Sequence, residues 1–132
     1  MIYRIGCLFL SLLLVAGCQS LGERKQADAL QEVLRNYEAV IRWGNLDQAS
    51  HFLRPEAASK ALRKPDRELR VTHYEVVQGP SVVEKDKAIQ TAVIQYVYVE
   101  TQVVREIVDR QTWQFDPLEE RWYLISSQPR FD

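Results

Sequence analysis

AIQTAVIQYVYVE, residues 88–100, carries the fold. The run is long, lacks glycine and proline, and is dominated by β-branched and aromatic side chains, so it predicts a strand from Ala88 to Glu100. Working outward, Val103 to Phe115 predicts its antiparallel neighbour. Asp116-Pro117-Leu118-Glu119-Glu120 makes a turn, Arg121 to Ser127 a final strand, and Pro129-Arg130-Phe131-Asp132 a tail. On the other side, Glu84-Lys85-Asp86-Lys87 is a polar turn. Leu69 to Val77 is a further extended run, interrupted by Gly79-Pro80, with Val82-Val83 as a short resumption.

Upstream of Pro65 the period changes to helical. Ser20 and Glu23 have capping-box spacing. Ala27, Leu30, Leu34, Tyr37 and Ile41 then recur every three or four residues as one apolar stripe, and Glu38 and Arg42 form an i,i+4 pair on the outside. Gly44 is placed to stop this first helix, which is expected from about Glu23 to Trp43. Asn45 is placed to cap a short second helix with Leu46, Ala49, Phe52 and Leu53 on its apolar side. Pro55 allows a third through Ala57, Ala58, Ala61 and Leu62, ended by Lys64-Pro65. Helices first and a strand meander afterwards predict an α+β fold, with N-terminal helices packed on an antiparallel sheet.

The chain opens differently. Arg4 precedes an apolar run, Ile5 to Val15, that has no polar face and is shorter than the ~20 residues a membrane-spanning helix needs. It gives way at Val15-Ala16-Gly17-Cys18, which resembles the bacterial lipoprotein signal, or lipobox. The resemblance implies cleavage before Cys18, a diacylglycerol thioether on its sulfur and an acyl chain on its new amine. Two or more chains give stable anchoring at ~0.8 kcal/mol per buried methylene. In that family Gln19 and Ser20 suit the outer membrane, facing the periplasm. The expected organisation is a signal segment at 1–17, a lipidated cysteine with a short linker at 18–25, and one α+β domain at 26–132. Fully extended, eight linker residues reach only ~28 Å, so the domain sits close to the membrane.

Composition narrows the function. Removing residues 1–17 takes away Arg4, which leaves 16 basic side chains against 18 acidic ones, a net charge of −2. That balance gives no basic excess for nucleic acid and no polybasic patch for anionic lipid, so attachment to the membrane is through the acyl chains. The two cysteines are Cys7, which leaves with the signal, and Cys18, which takes lipid. No disulfide or cysteine metal site is expected, and no cofactor beyond the covalent lipid. No HExxH, glycine-rich phosphate loop or Gly-x-Ser-x-Gly elbow is present.

The segments NYEAVIRWGNLDQASHFLRP (36–55), YEVV (74–77), QTWQFD (111–116) and RWYLISS (121–127), in that order, resemble the nuclear transport factor 2-like superfamily, which includes SnoaL-like proteins. The likeness runs from about residue 26 onward and implies a cone-shaped fold with helices against a curved sheet. Its members include isomerases, dehydratases, ligand binders and interaction modules, so the fold leaves the activity open. Fold relatives often pair through their sheets, which admits a homodimer.

On the predicted strand Val103–Phe115 the odd positions are the more apolar and should face the helices. Arg105, Asp109 and Gln111 are then polar groups turned inward, which need partners. A pocket, a bulge or an edge position would each account for them. With Tyr96 and Tyr98 they are the candidate pocket residues. The isomerase-like members use an aspartate as base and a tyrosine to stabilise the enolate; a dehydratase reading pairs Asp109 with His73. His73 also reads as a surface residue on a strand, His51 as a partly exposed helix residue, and no third ligand suggests a metal. Tyr37, Trp113 and Trp122 read as core, whereas Trp43 and Tyr98 lie near element ends. Thr91, Gln95, Glu106, Arg110 and Gln114 form the other face, which is either a contact surface or solvated sheet. Two functions follow: a non-enzymatic envelope module with a protein partner or a small apolar ligand, or a small isomerase or dehydratase built on Asp109.

Overall fold

The computed structural model describes residues 2–132, and from Leu21 onward their side chains. The side chain of Cys18 lies outside the described residues. One α-helix, α1 (Ile2–Arg42), is followed by two 3-10 segments, Leu46–Phe52 and Pro55–Lys60. Then come four strands: β1 (Leu69–Glu84), β2 (Lys87–Tyr98), β3 (Val104–Asp116) and β4 (Arg121–Leu124). They form one open antiparallel sheet in the order β1-β2-β3-β4, so the chain is α+β.

The apolar stripe of α1 is the reason it packs where it does. Leu30, Leu34, Tyr37 and Ile41 are buried, with Ala29, Val33 and Val40 partly buried beside them, while Ala27 falls on the exposed side. Glu38 and Arg42 pair outside at 3.6 Å. The helix does not begin at the Ser20–Glu23 box, because nothing in the preceding sequence breaks it. Its end follows the glycine. Gly44 sits at φ +76°, its N–H donates to the Ile41 carbonyl at 3.4 Å, and the Asn45 N–H donates to the Val40 carbonyl at 3.1 Å. These are the two bonds of a Schellman motif. A Cβ at Gly44 meets no neighbour within 4 Å, so Gly44→Ala tests conformation alone. It should cost about 1 kcal/mol, read as a lower urea midpoint at an unchanged m-value.

The two expected short helices form, as 3-10 rather than α turns. Asn45 makes no side-chain cap bond, and the segments close i→i+3 bonds: Gln48 N–H to Asn45, Leu53 to Ser50, Ala57 to Arg54 and Ala61 to Ala58. With Pro55 dividing them, neither has length for α-helical propagation. The second ends at Lys60, before Lys64-Pro65.

Gly79-Pro80 does not interrupt β1. The strand runs through with register shifts between Val76 and Gln78 and between Gln78 and Ser81. β1 is an edge strand, where proline and bulges are tolerated because one side of the ladder is unpaired. β4 is shorter than its sequence suggested. The Ile125 N–H still donates to the Thr112 carbonyl at 2.8 Å, but the Thr112 N–H takes the Ser126 hydroxyl as acceptor, at 3.0 Å, and the chain leaves the ladder there.

Alternation fixes the two faces. On β2, Ala88, Gln90, Ala92, Ile94, Tyr96 and Tyr98 point inward; opposite them on β3 lie Trp113, Gln111, Asp109, Ile107 and Arg105. At the core, Tyr37, Phe52 and Trp113 meet edge to face, with centroids 5.2 Å (Tyr37–Phe52), 5.3 Å (Tyr37–Trp113) and 6.2 Å (Phe52–Trp113) apart. Arg54 ties the second 3-10 segment to Asp116 at 2.9 Å and stacks 4.6 Å from the Tyr123 ring.

Candidate functional site

The polar residues turned inward on the sheet divide into two groups. The first is a closed network around Gln111, which is 1% exposed. Its Nε2 donates to Asp109 Oδ2 at 2.8 Å and to the Tyr74 hydroxyl at 2.9 Å. Its Oε1 accepts from Trp113 Nε1 at 3.1 Å and from Gln90 Nε2 at 3.3 Å. One amide thus uses both ends, which is how a buried glutamine offsets its desolvation. β3 supplies Asp109, Gln111 and Trp113, β2 supplies Gln90, and β1 supplies Tyr74, all on inward positions.

Burial pushes the Asp109 carboxyl up to about 6, and the Gln111 hydrogen bond restrains the rise. Burial also raises the Tyr74 and Tyr37 hydroxyls, and the Asp109 charge adds to both. Tyr37 differs from the rest: its hydroxyl is buried and has no hydrogen-bond partner. Tyr37→Phe removes an unsatisfied group without touching the ring contacts. The variant should melt later than wild type, by about 1 kcal/mol of added stability, since an unmet buried hydroxyl costs about 1–3 kcal/mol.

The second group lies at the opposite end of the sheet and holds the C-terminal tail. Tyr96 donates to the Asp132 carbonyl at 2.8 Å, Tyr98 to the Phe131 carbonyl at 3.0 Å, and Arg105 Nη1 to the Asp132 carbonyl at 3.0 Å. The Phe131 ring packs edge-on to Tyr96, centroids 5.0 Å apart. Further back, Gln128 is anchored on both sides: its Oε1 accepts from the Leu62 N–H at 2.8 Å and its backbone N–H donates to the Lys60 carbonyl at 3.1 Å.

The five candidate pocket residues therefore do not share one space. Asp109 and Gln111 belong to the buried network, and Tyr96, Tyr98 and Arg105 to the tail contact. His73 is on the other face, opposite Gln95, with its Nε2 3.5 Å from the Glu75 carboxylate. Asp109 faces inward opposite Ala92, so the two cannot act on one substrate atom. Among the described residues no three His, Cys, Asp or Glu side chains gather to hold a metal.

Sequence reasoning missed Tyr74 and Gln90 as partners of Gln111, missed the unpaired Tyr37 hydroxyl, and missed the tail. Gln90 was recoverable, since it shares parity with Ala88 and Ala92. Phe131, a large apolar residue beyond the last strand, was the available sign that the tail packs down. Comparison with family models, with curated proteins and with solved structures gives no match, so no relative assigns a role to these residues.

Proposed function

We propose that the chain is a bacterial envelope lipoprotein, lipidated at Cys18, whose domain has the nuclear transport factor 2-like fold and serves as a non-enzymatic binding module. The anchor reading rests on Val15-Ala16-Gly17-Cys18. Among the described residues no helix is long and apolar enough to cross a membrane. The helix-then-antiparallel-sheet order is compatible with that fold.

One observation favours a module over an enzyme: the chain itself fills the space beneath the sheet around Tyr37, Gln111 and Trp113, and Asp109 borders only an open groove of about 390 Å³ beside Ser127 and Gln128. Tyr37 and Trp113 are 0% exposed and Gln111 1%. A general base must reach to ~3 Å from the proton it removes. The Asp109 carboxylate is instead held by Gln111, and Tyr96 and Tyr98 are capped by the tail. The outer face is open to a partner. Val104 and Val108 are 62% and 52% exposed there, beside Glu106 and Arg110.

The test is expression of the full chain in a bacterial host, envelope fractionation and mass spectrometry. Wild type should pellet with membranes and yield a peptide beginning at a diacylglyceryl, N-acylated Cys18; Cys18→Ala should abolish both. An unmodified amino end on soluble cytosolic protein would overturn the anchor. Co-purification from detergent-solubilised envelopes tests the module: neither a partner nor a ligand by native mass spectrometry would count against it.

A further inference from the structure

Trp43 is 74% exposed, whereas Trp113 and Trp122 are 0% and 2% exposed. An indole left this open just past a helix end adds nothing to the core. It borders an open groove of about 380 Å³ between the last turns of α1 and the first 3-10 segment. Asn36, Asn45, Gln48 and His51 surround it, and Phe52 forms part of the wall. None of those four polar side chains makes a hydrogen bond to the protein among the described residues. No carboxylate, ammonium or guanidinium lines the groove. Arg42 lies 5.7 Å from the Trp43 ring centroid but is drawn back towards Glu38, and one guanidinium covers at most one face of the indole.

We propose that this groove binds a neutral saccharide. A sugar ring presents a C–H face that stacks on an aromatic plane and a rim of hydroxyls that both donate and accept. Trp43 supplies the plane. Each amide supplies a carbonyl acceptor and an NH₂ donor side by side, a match for neighbouring hydroxyls, and the His51 imidazole adds either. A charged ligand would find no counter-charge among the lining side chains, and Arg42 beside the indole is already paired with Glu38. A protein hot spot centred on tryptophan needs a closed, water-excluding surround, whereas this groove is open and mixes Ala39, Val40 and Phe52 with the Asn36, Asn45, Gln48 and His51 side chains. The groove is open, which suits one or more rings of a chain laid along it. The site goes beyond the anchored-module reading, because neither Cys18 nor the inner face of the sheet takes part, so either reading can fail alone.

The probes are tetra-N-acetylchitotetraose and maltotetraose, titrated into the full chain in detergent. Trp43 is the only exposed tryptophan of the three, so it reports without labelling. Binding by either sugar should shift emission to the blue and protect it from acrylamide, saturating at a Kd on the order of 1 mM. Amide NMR shifts should cluster at Asn36, Asn45 and Gln48. Trp43→Ala should remove the emission change and weaken the NMR-detected affinity at least about tenfold. Gln48→Ala and Asn36→Ala, both exposed positions, should weaken it about fivefold each. The proposal is overturned if neither sugar gives a saturable shift by about 10 mM, or if NMR shifts in Trp43→Ala match wild type.

Discussion

Trp113→Ala should remove most of the stability of the domain. The residue is 0% exposed and is the meeting point of three elements: Tyr37 from α1 and Phe52 from the first 3-10 segment both pack edge-on against its ring. Truncating a buried tryptophan costs about 3–5 kcal/mol through lost transfer energy and the cavity left behind. A second loss adds to it, because Trp113 Nε1 is one of two donors to Gln111 Oε1, leaving that buried oxygen with only the longer bond from Gln90. Against a total of about 5–15 kcal/mol for a domain of this kind, the variant should be largely unfolded in moderate urea. Trp113→Phe keeps an aromatic ring for the Tyr37 and Phe52 contacts and loses the N–H, so it should fall between. Equilibrium urea curves followed by far-UV circular dichroism decide it. A loss below about 1 kcal/mol would mean that the aromatic cluster does not close the core.

How much of this was legible beforehand depended on whether the deciding contact was local. The stripe Leu30, Leu34, Tyr37, Ile41 is set by the helical repeat, and the glycine stop by a single φ, so both could be read from spacing. The inward parity of Asp109, Gln111 and Trp113 follows from strand alternation in the same way. What could not be read is long-range. The bond from Gln111 to Tyr74 joins residues 37 apart, and Gln128 is held by Lys60 and Leu62 from 60 or more positions away. Alternation marked Arg105 as an inward polar group, and Tyr96 and Tyr98 stood as pocket candidates, but only the path of the tail explains what the three hold. Gly79-Pro80 misled for a related reason. A proline breaks a central strand but not an edge strand, and edge position is a property of the sheet rather than of the run.

Asp109→Asn should stabilise the protein at neutral pH. The carboxyl is 4% exposed, and burial raises it from 3.8 in the unfolded chain to about 6. The sign follows from proton binding. Below 3.8 the group is neutral in both states and costs nothing. Between 3.8 and about 6 the folded state holds a proton that the unfolded state has released, so stability falls as pH rises. Above about 6 both are ionised and the penalty is complete. At 1.36 kcal/mol for each pH unit between 3.8 and about 6, the penalty amounts to roughly 3 kcal/mol at pH 7. Asparagine keeps an oxygen to accept from Gln111 Nε2 and carries no charge to desolvate. Its new NH₂ needs a partner, which makes roughly 3 kcal/mol an upper bound. The ordinary acid sensitivity of the fold runs the other way. Asp116, held low by the Arg54 hydrogen bond and by the Glu119 and Leu118 N–H groups, contributes stability that is lost as pH falls through its folded range. The difference between variant and wild type isolates Asp109: near zero at pH 3.5, rising between pH 4 and 6, and flat above. A difference that stays at zero from pH 3.5 to 7.5 would show that water reaches the carboxylate, and with it the filled inner face on which the non-enzymatic reading stands would be lost.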